Sequence, residues 1–295
     1  MRKSVLMIIG ALFVLLLLVV SLRSFSRDRV REVSFFMENE RGTYNLVEMS
    51  LLGGDGPHPV VLMAHGFAGS LHSGGAVELG KKLAKRGAIA VRIDFDPYVG
   101  PGEDAERTHS YPLRNMRKDA VLAIKKAISE YGGDPDRVSL YGRSYGGRLV
   151  MTMANESDGG FDYERLALIA PAGDAVAFER YLGGKKTYDR MKKEAAEKGF
   201  AVKLGVKIEP EWFEDVEAYD PTEYGWKFGK KPVLLYYNTK DTVVYPDTSK
   251  RCAEAYENHC IVEVTTDDSH GYEMGYEESE LKDEIMDRVT LFLTE

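Results

Sequence analysis

Three side chains far apart in this chain could together make a serine attack a carbonyl. Ser144 lies in Val138-Ser139-Leu140-Tyr141-Gly142-Arg143-Ser144-Tyr145-Gly146-Gly147, a short apolar run that passes through G-x-S-x-G into a helix-like segment. A serine hydroxyl is a weak nucleophile until a base takes its proton. It must also be held out toward substrate, and a sharp strand-to-helix turn does this. Such a turn is crowded and admits only small residues two before and two after the serine, here Gly142 and Gly146. Bare G-x-S-x-G is common by chance, so the downstream residues give it weight. Asp241 follows the apolar run Val233 to Tyr237, and His270 sits in the polar loop Asp267-Asp268-Ser269-His270-Gly271. Of the six histidines, His270 alone follows both a late strand and an acid. His270 is then the base, and Asp241 holds the imidazole in the right tautomer and stabilises its charged form. Asp247, Asp267 and Asp268 are weaker candidates for the acid, the last two being too close in sequence to His270. The plainer alternatives are a serine that caps the following helix and a loop histidine that is only solvated.

Acyl transfer also needs donors for the developing oxyanion, each fixed N–H contributing about 10²–10³ in rate. One is expected from Tyr145, directly after the serine. The second is expected from Phe67, in His65-Gly66-Phe67-Ala68-Gly69-Ser70, where Gly66 lets the next amide turn inward. His65 is then a loop-fixing residue. Gly69 to Gly75 holds no lysine suited to a phosphate loop, and no C-x-x-C occurs, so neither a nucleotide nor a zinc site is supported. No metal or organic cofactor is expected.

The elements that would position these residues alternate. Arg31 to Glu38 and Thr43 to Leu52 read as strands joined by a turn at Asn39 to Gly42. Pro59 to Ala64, Ala88 to Ile93, Val138 to Tyr141, Leu166 to Ala170, Val233 to Tyr237 and Ile261 to Thr265 read as further strands, several of them unbroken apolar runs. Helices are expected over Val77 to Lys85, Met116 to Tyr131, from Tyr145, over Asp247 to Tyr256 and over Leu281 to Leu293. Alternation of buried strand and helix predicts a mostly parallel sheet covered on both faces. Asp174 to Lys227 breaks the rhythm with a charged helix and the aromatics Phe178, Tyr181, Phe200, Trp212, Phe213, Tyr219, Tyr224 and Trp226. It is too long for a plain connection and is expected to form a cap over the carboxyl ends of the strands. Most of its aromatics should fill its own small core, with two or three lining a pocket.

The chain has 295 residues, 44% apolar and 29% charged, enough for one good-sized domain with an insertion. A formal charge of −8 argues against a nucleic-acid partner. The mixed charges of Lys185 to Lys198 read as a solvated helix. The amino terminus differs. Arg2 and Lys3 precede the apolar run Val5 to Val20, which, extended through Leu22, is about long enough to cross a bilayer. No small-x-small site follows, so residues 1–28 are expected to be an uncleaved single-pass anchor rather than a signal peptide, with the hydrolytic domain over 29–295. Arg23, Arg27, Arg29 and Arg31 compete with Arg2, Lys3 and the α-amino group for the cytoplasmic side, and the count leans slightly toward a cytoplasmic domain. Cys252 and Cys260 read either as a local disulfide or as two buried thiols.

From about Val60 onward the chain resembles the α/β-hydrolase superfamily, most of all the bacterial cinnamoyl/feruloyl esterase and monoacylglycerol lipase-like group. The resemblance is carried by His65-Gly66-Phe67-Ala68-Gly69, Arg92-Ile93-Asp94-Phe95, Gly142-Arg143-Ser144-Tyr145-Gly146-Gly147, Leu168-Ile169-Ala170-Pro171-Ala172, Asp241-Thr242-Val243-Val244 and Ser269-His270-Gly271. It implies a triad of Ser144, Asp241 and His270, an oxyanion hole at Phe67 and Tyr145, and a cap at about 174–227. It implies hydrolysis of small-molecule esters through an acyl-enzyme, without fixing the substrate. Two departures stand out. Arg143 replaces the histidine often found before the serine, and Asp96-Pro97-Tyr98-Val99-Gly100-Pro101-Gly102 replaces a Gly-x-Ser turn. A serine peptidase of the prolyl-oligopeptidase type uses the same residue order, but Arg23 to Pro59 has no room for its propeller. A catalytically silent, membrane-tethered binding module is the rival from another class.

Overall fold

A computed structural model describes residues 29–54, 56–110, 112–203, 205–266, 270 and 280–295. The anchor expected within residues 1–28 lies outside these. Among the described residues no helix is long and apolar enough to cross a membrane.

Eight strands form one sheet, in the order β1-β2-β4-β3-β5-β6-β9-β10. They are β1 (Val30–Glu38), β2 (Tyr44–Leu52), β3 (His58–Ala64), β4 (Ile89–Ile93), β5 (Gly133–Arg143), β6 (Leu166–Ile169), β9 (Val233–Asn238) and β10 (His259–Val264). All pairings from β4 through β10 are parallel, while β2 runs antiparallel to both β1 and β4. The unbroken apolar runs are explained by burial of both faces. Val60 and Leu62 of β3 face one core, with Leu140, Leu168 and Leu235 beside them. Val61 and Met63 face the other, with Tyr141, Ala167 and Leu234. This is the two-residue period of a strand applied to the middle of a sheet covered on both faces.

Helices α1 (Ala76–Lys85) and α8 (Glu280–Thr294) cover the second face through Leu79, Leu83, Ile285, Met286, Val289 and Leu293. Helices α2 (Leu113–Tyr131), α3 (Tyr145–Glu156) and α7 (Pro246–Glu254) lie on the first, through residues such as Ile124, Leu149 and Ala253. Between β6 and β9 the chain forms α4 (Ala175–Tyr181), α5 (Lys185–Lys198), a hairpin of β7 (Ala201–Lys203) and β8 (Val206–Ile208), and α6 (Pro210–Ala218). Helix α5 is the solvated helix expected, laced by the i,i+4 pairs Lys185–Asp189, Lys193–Glu197 and Lys198–Glu194.

Two expectations need correction. Strand β5 begins at Gly133, not Val138; its polar first half is a partly exposed lead-in to the buried stretch. The cysteines form no disulfide, and they are not both buried. Cys252 is enclosed on α7 with its Sγ 3.6 Å from Pro171 O, while Cys260 is exposed on β10 beside Arg288. Burial raises the Cys252 thiol far above its usual range, so it is an inert packing group.

Candidate active site

Ser144 sits where β5 turns into α3, with φ 53° and ψ −119°. A non-glycine residue there is strained and persists only when its surroundings hold it. Three backbone bonds do so: Ser144 N–H donates to Ile169 O at 2.9 Å, and Ser144 O accepts from Gly147 at 2.9 Å and Ala172 at 3.0 Å. The two glycines are required by close approach. A Cβ on Gly142 would strike Gly146 and Val150, and one on Gly146 would strike the carbonyls of Ala64 and His65. The tight turn thus packs α3 onto the end of β3 and leaves the serine at the carboxyl edge of the sheet.

Asp241 lies just past β9 and is almost fully buried. Its Oδ1 accepts from the amides of Val243 at 2.8 Å and Val244 at 2.9 Å. That leaves Oδ2 facing His270 Nδ1 at 3.0 Å. On the other side of the ring, His270 Nε2 is 2.9 Å from Ser144 Oγ. If Asp241 accepts from Nδ1–H, Nε2 carries the lone pair that faces the hydroxyl. The three residues singled out in the sequence therefore meet in one hydrogen-bonded line. Asp247 does not join it and pairs with Arg180 and Arg251. Asp267 and Asp268 lie outside the described residues.

The loop after β3 closes the site from the other side. Gly66 packs so near the serine that a Cβ on it would stand 3.2 Å from Ser144 Cβ. Phe67 follows, and its ring meets that of Tyr145 edge-on at 6.0 Å. His65 Nε2 accepts from Phe95 N–H at 3.1 Å, so its proton sits on Nδ1 and is donated to Gly66 O at 2.8 Å. This fixes the loop. Arg143, the departure before the serine, donates from Nη2 to His270 O at 3.2 Å.

Two cavities of different character meet at Ser144 and His270. One, of about 210 Å³, runs along the Gly66–Ser73 loop and is edged by Ser70, Ser73 and Arg143. The other, of about 260 Å³, is walled by Phe67, Tyr145, Phe178, Tyr181, Trp212 and Val244. Three of the insertion's aromatics thus line a pocket, while Trp226 and Phe200 are exposed and Tyr219 stacks on Tyr224. The sequence showed that some aromatics would face the pocket but not which ones. The roles of Trp212, Arg143 and Arg148 (a buried cation on α3) had no signal beyond residue type. Among the described residues no cluster of histidine, cysteine and carboxylate side chains could hold a metal ion.

A mostly parallel eight-stranded sheet with its antiparallel second strand, a serine at the turn after β5 and an insertion after β6 define the class of fold: the chain has the α/β-hydrolase fold. A family model described as serine aminopeptidase, S33, matches residues 55–198, just under half of the chain. Among curated relatives, human bile salt-activated lipase is 32% identical over 104 residues, covering 31% of this chain and 14% of the relative. Esterase-5B of Drosophila persimilis is 29% identical over 123 residues, covering 40% and 22%. Dipeptidyl aminopeptidase BIII of Pseudoxanthomonas mexicana is 29% identical over 99 residues, covering 33% and 14%. The matched stretch thus spans less than a quarter of each of these relatives. Among solved structures, Est1E of Butyrivibrio proteoclasticus with ferulic acid bound superposes with a TM-score of 0.66 at 20% identity, covering 87% of this chain and 97% of that one. The esterase of Pyrobaculum calidifontis gives 0.63 at 19% identity, covering 93% and 89%.

Proposed function

We propose that this chain is a serine hydrolase that cleaves carboxylic esters through an acyl-enzyme. The observation that carries this reading is the line from Asp241 Oδ2 to His270 Nδ1 at 3.0 Å and from His270 Nε2 to Ser144 Oγ at 2.9 Å. Ser144 attacks the ester carbonyl as His270 takes its proton. His270 then returns that proton to the departing alcohol, and water repeats the sequence on the acyl-enzyme. The backbone N–H groups of Phe67 and Tyr145 hold the oxyanion. The aromatic cavity takes the acyl group, and the polar cavity beside Ser70 and Ser73 takes the alcohol. In the same reading residues 1–28 tether the domain to a membrane, supported by the length of the apolar run from Val5.

A fluorophosphonate probe should label Ser144, and Ser144→Ala should lose both labelling and hydrolysis of p-nitrophenyl acetate, by up to about 10⁶ in kcat. Undiminished hydrolysis in that variant sinks the assignment. A folded wild type that neither labels nor turns over would instead be a binding module.

The description of the matched family model and the dipeptidyl aminopeptidase relative favour a peptidase as the second reading. An aminopeptidase needs an acidic partner for the substrate's ammonium group. Among the described residues lining the two cavities there is no aspartate or glutamate. Cleavage of alanyl p-nitroanilide faster than p-nitrophenyl acetate would reverse the preference.

A further inference from the structure

Arg148 stands one turn beyond Ser144 on α3, completely buried and outside the catalytic line. Its guanidinium donates to three main-chain carbonyls. Nη1 reaches Gly173 O, and Nη2 reaches Val216 O at 2.8 Å and Tyr219 O. Nε has no partner. Asp174 and Asp220 act on the charge only at longer range. A buried cation held by backbone oxygens alone is costly to desolvate, so its placement calls for a physical account.

The carbonyls it meets lie at the start of the insertion and at the end of its last α-helix. Gly173 is where the chain leaves the sheet, and Val216 and Tyr219 lie at the end of α6. The last carbonyls of a helix lack intrahelical partners and carry the negative end of its dipole. Helix α6 has no basic residue in its own last turn, so Arg148 supplies the missing cation from α3. Seven residues further along the same face of α3, Asn155 donates to Pro221 O at 2.9 Å and continues the seam. Helix α6 carries Trp212, whose ring meets Phe178 edge-on at 5.3 Å. The Arg148 guanidinium lies 5.3 Å from the Phe178 ring centre. Both rings wall the aromatic cavity at Ser144.

We propose that Arg148 is a positioning residue that sets the shape of this cavity by holding α6, and with it Trp212, against Phe178. Its effect on substrate choice rests on the ester-hydrolase reading, which assigns the cavity to the acyl group. A planar fork is needed to bridge carbonyls from two segments, so a lysine cannot replace it.

The test compares Arg148→Met and Arg148→Lys with wild type on p-nitrophenyl acetate and p-nitrophenyl benzoate, with circular dichroism to establish folding. Trp212 and Trp226 are the only tryptophans. In a Trp226→Phe background, acrylamide quenching therefore reports on Trp212 alone, without any need for turnover. Both variants should raise KM for the benzoate about tenfold, keep kcat for the acetate within about threefold, and expose Trp212 to acrylamide. An equal loss on both esters, or no change in KM and quenching, overturns the proposal. If Arg148→Met does not fold, Arg148→Lys decides by the same criteria. A wild type that hydrolyses neither ester overturns the ester reading, and the quenching result alone then decides whether Arg148 holds Trp212.

Discussion

Asp241 divides its two oxygens between tasks, and this makes its contribution separable. Oδ1 takes the amides of Val243 and Val244 and so shapes the loop after β9, while Oδ2 faces the imidazole. An asparagine keeps a carbonyl oxygen for the loop but presents an NH₂ to His270 Nδ1, which favours the tautomer with its proton facing the serine. Asp241→Asn should therefore lower kcat by about 10⁴ while moving Tm by no more than about 3 °C. Stopped turnover and a thermal melt check the two halves. Near-normal kcat would remove Asp241 from its role as orienter. The residue types and chain order of Ser144, Asp241 and His270 were legible because each follows an apolar run that had to be a strand. Arg148 was not legible. An arginine in Gly147-Arg148-Leu149-Val150 looks like a surface residue until the insertion covers it.

At the scale of elements, the strands and helices were legible where the apolar pattern is strong, unbroken in β3, β4 and β9 and repeating with helical spacing in α2. Within the insertion only the charged helix α5 was, because the other elements bury one another through scattered aromatics rather than a repeating face. The short β7–β8 hairpin has no alternation long enough to see. An ion pair between an exposed arginine and a buried carboxylate joins two of the legible elements. Arg41, in the turn between β1 and β2, donates to both oxygens of Asp119 on α2, at 3.1 and 2.7 Å. Burial raises the Asp119 carboxyl above its usual range, although Arg41 and Asn45 pull it down. A carboxylate raised in the folded state contributes most below its unfolded value of about 3.9, and that contribution is lost as pH rises through the folded value. Melts of wild type and Asp119→Asn from pH 4 to pH 7 should show the difference moving in favour of wild type as pH falls. The opposite slope would mean that the attraction of Arg41 outweighs burial.

For the molecule as a whole, the sheet gathers residues nearly 130 positions apart at one carboxyl edge, where open parallel sheets place their ligands. Ser144 follows β5, Asp241 follows β9 and His270 follows β10, so all three come from the carboxyl ends of strands in one half of the sheet. The strands and site residues of that arrangement all lie among the described residues, from Val30 of β1 onward. The proposed tether and the proposed chemistry are therefore separable. The full chain should sediment with membranes and be released by detergent but not by alkaline carbonate, because burial of some twenty apolar residues is insensitive to charge. A chain of residues 29–295 should stay in the supernatant and keep kcat for p-nitrophenyl acetate within about twofold. Release of the full chain by carbonate would refute a spanning helix. Sedimentation of the shortened chain to the same extent would instead move membrane attachment onto the surface of residues 29–295.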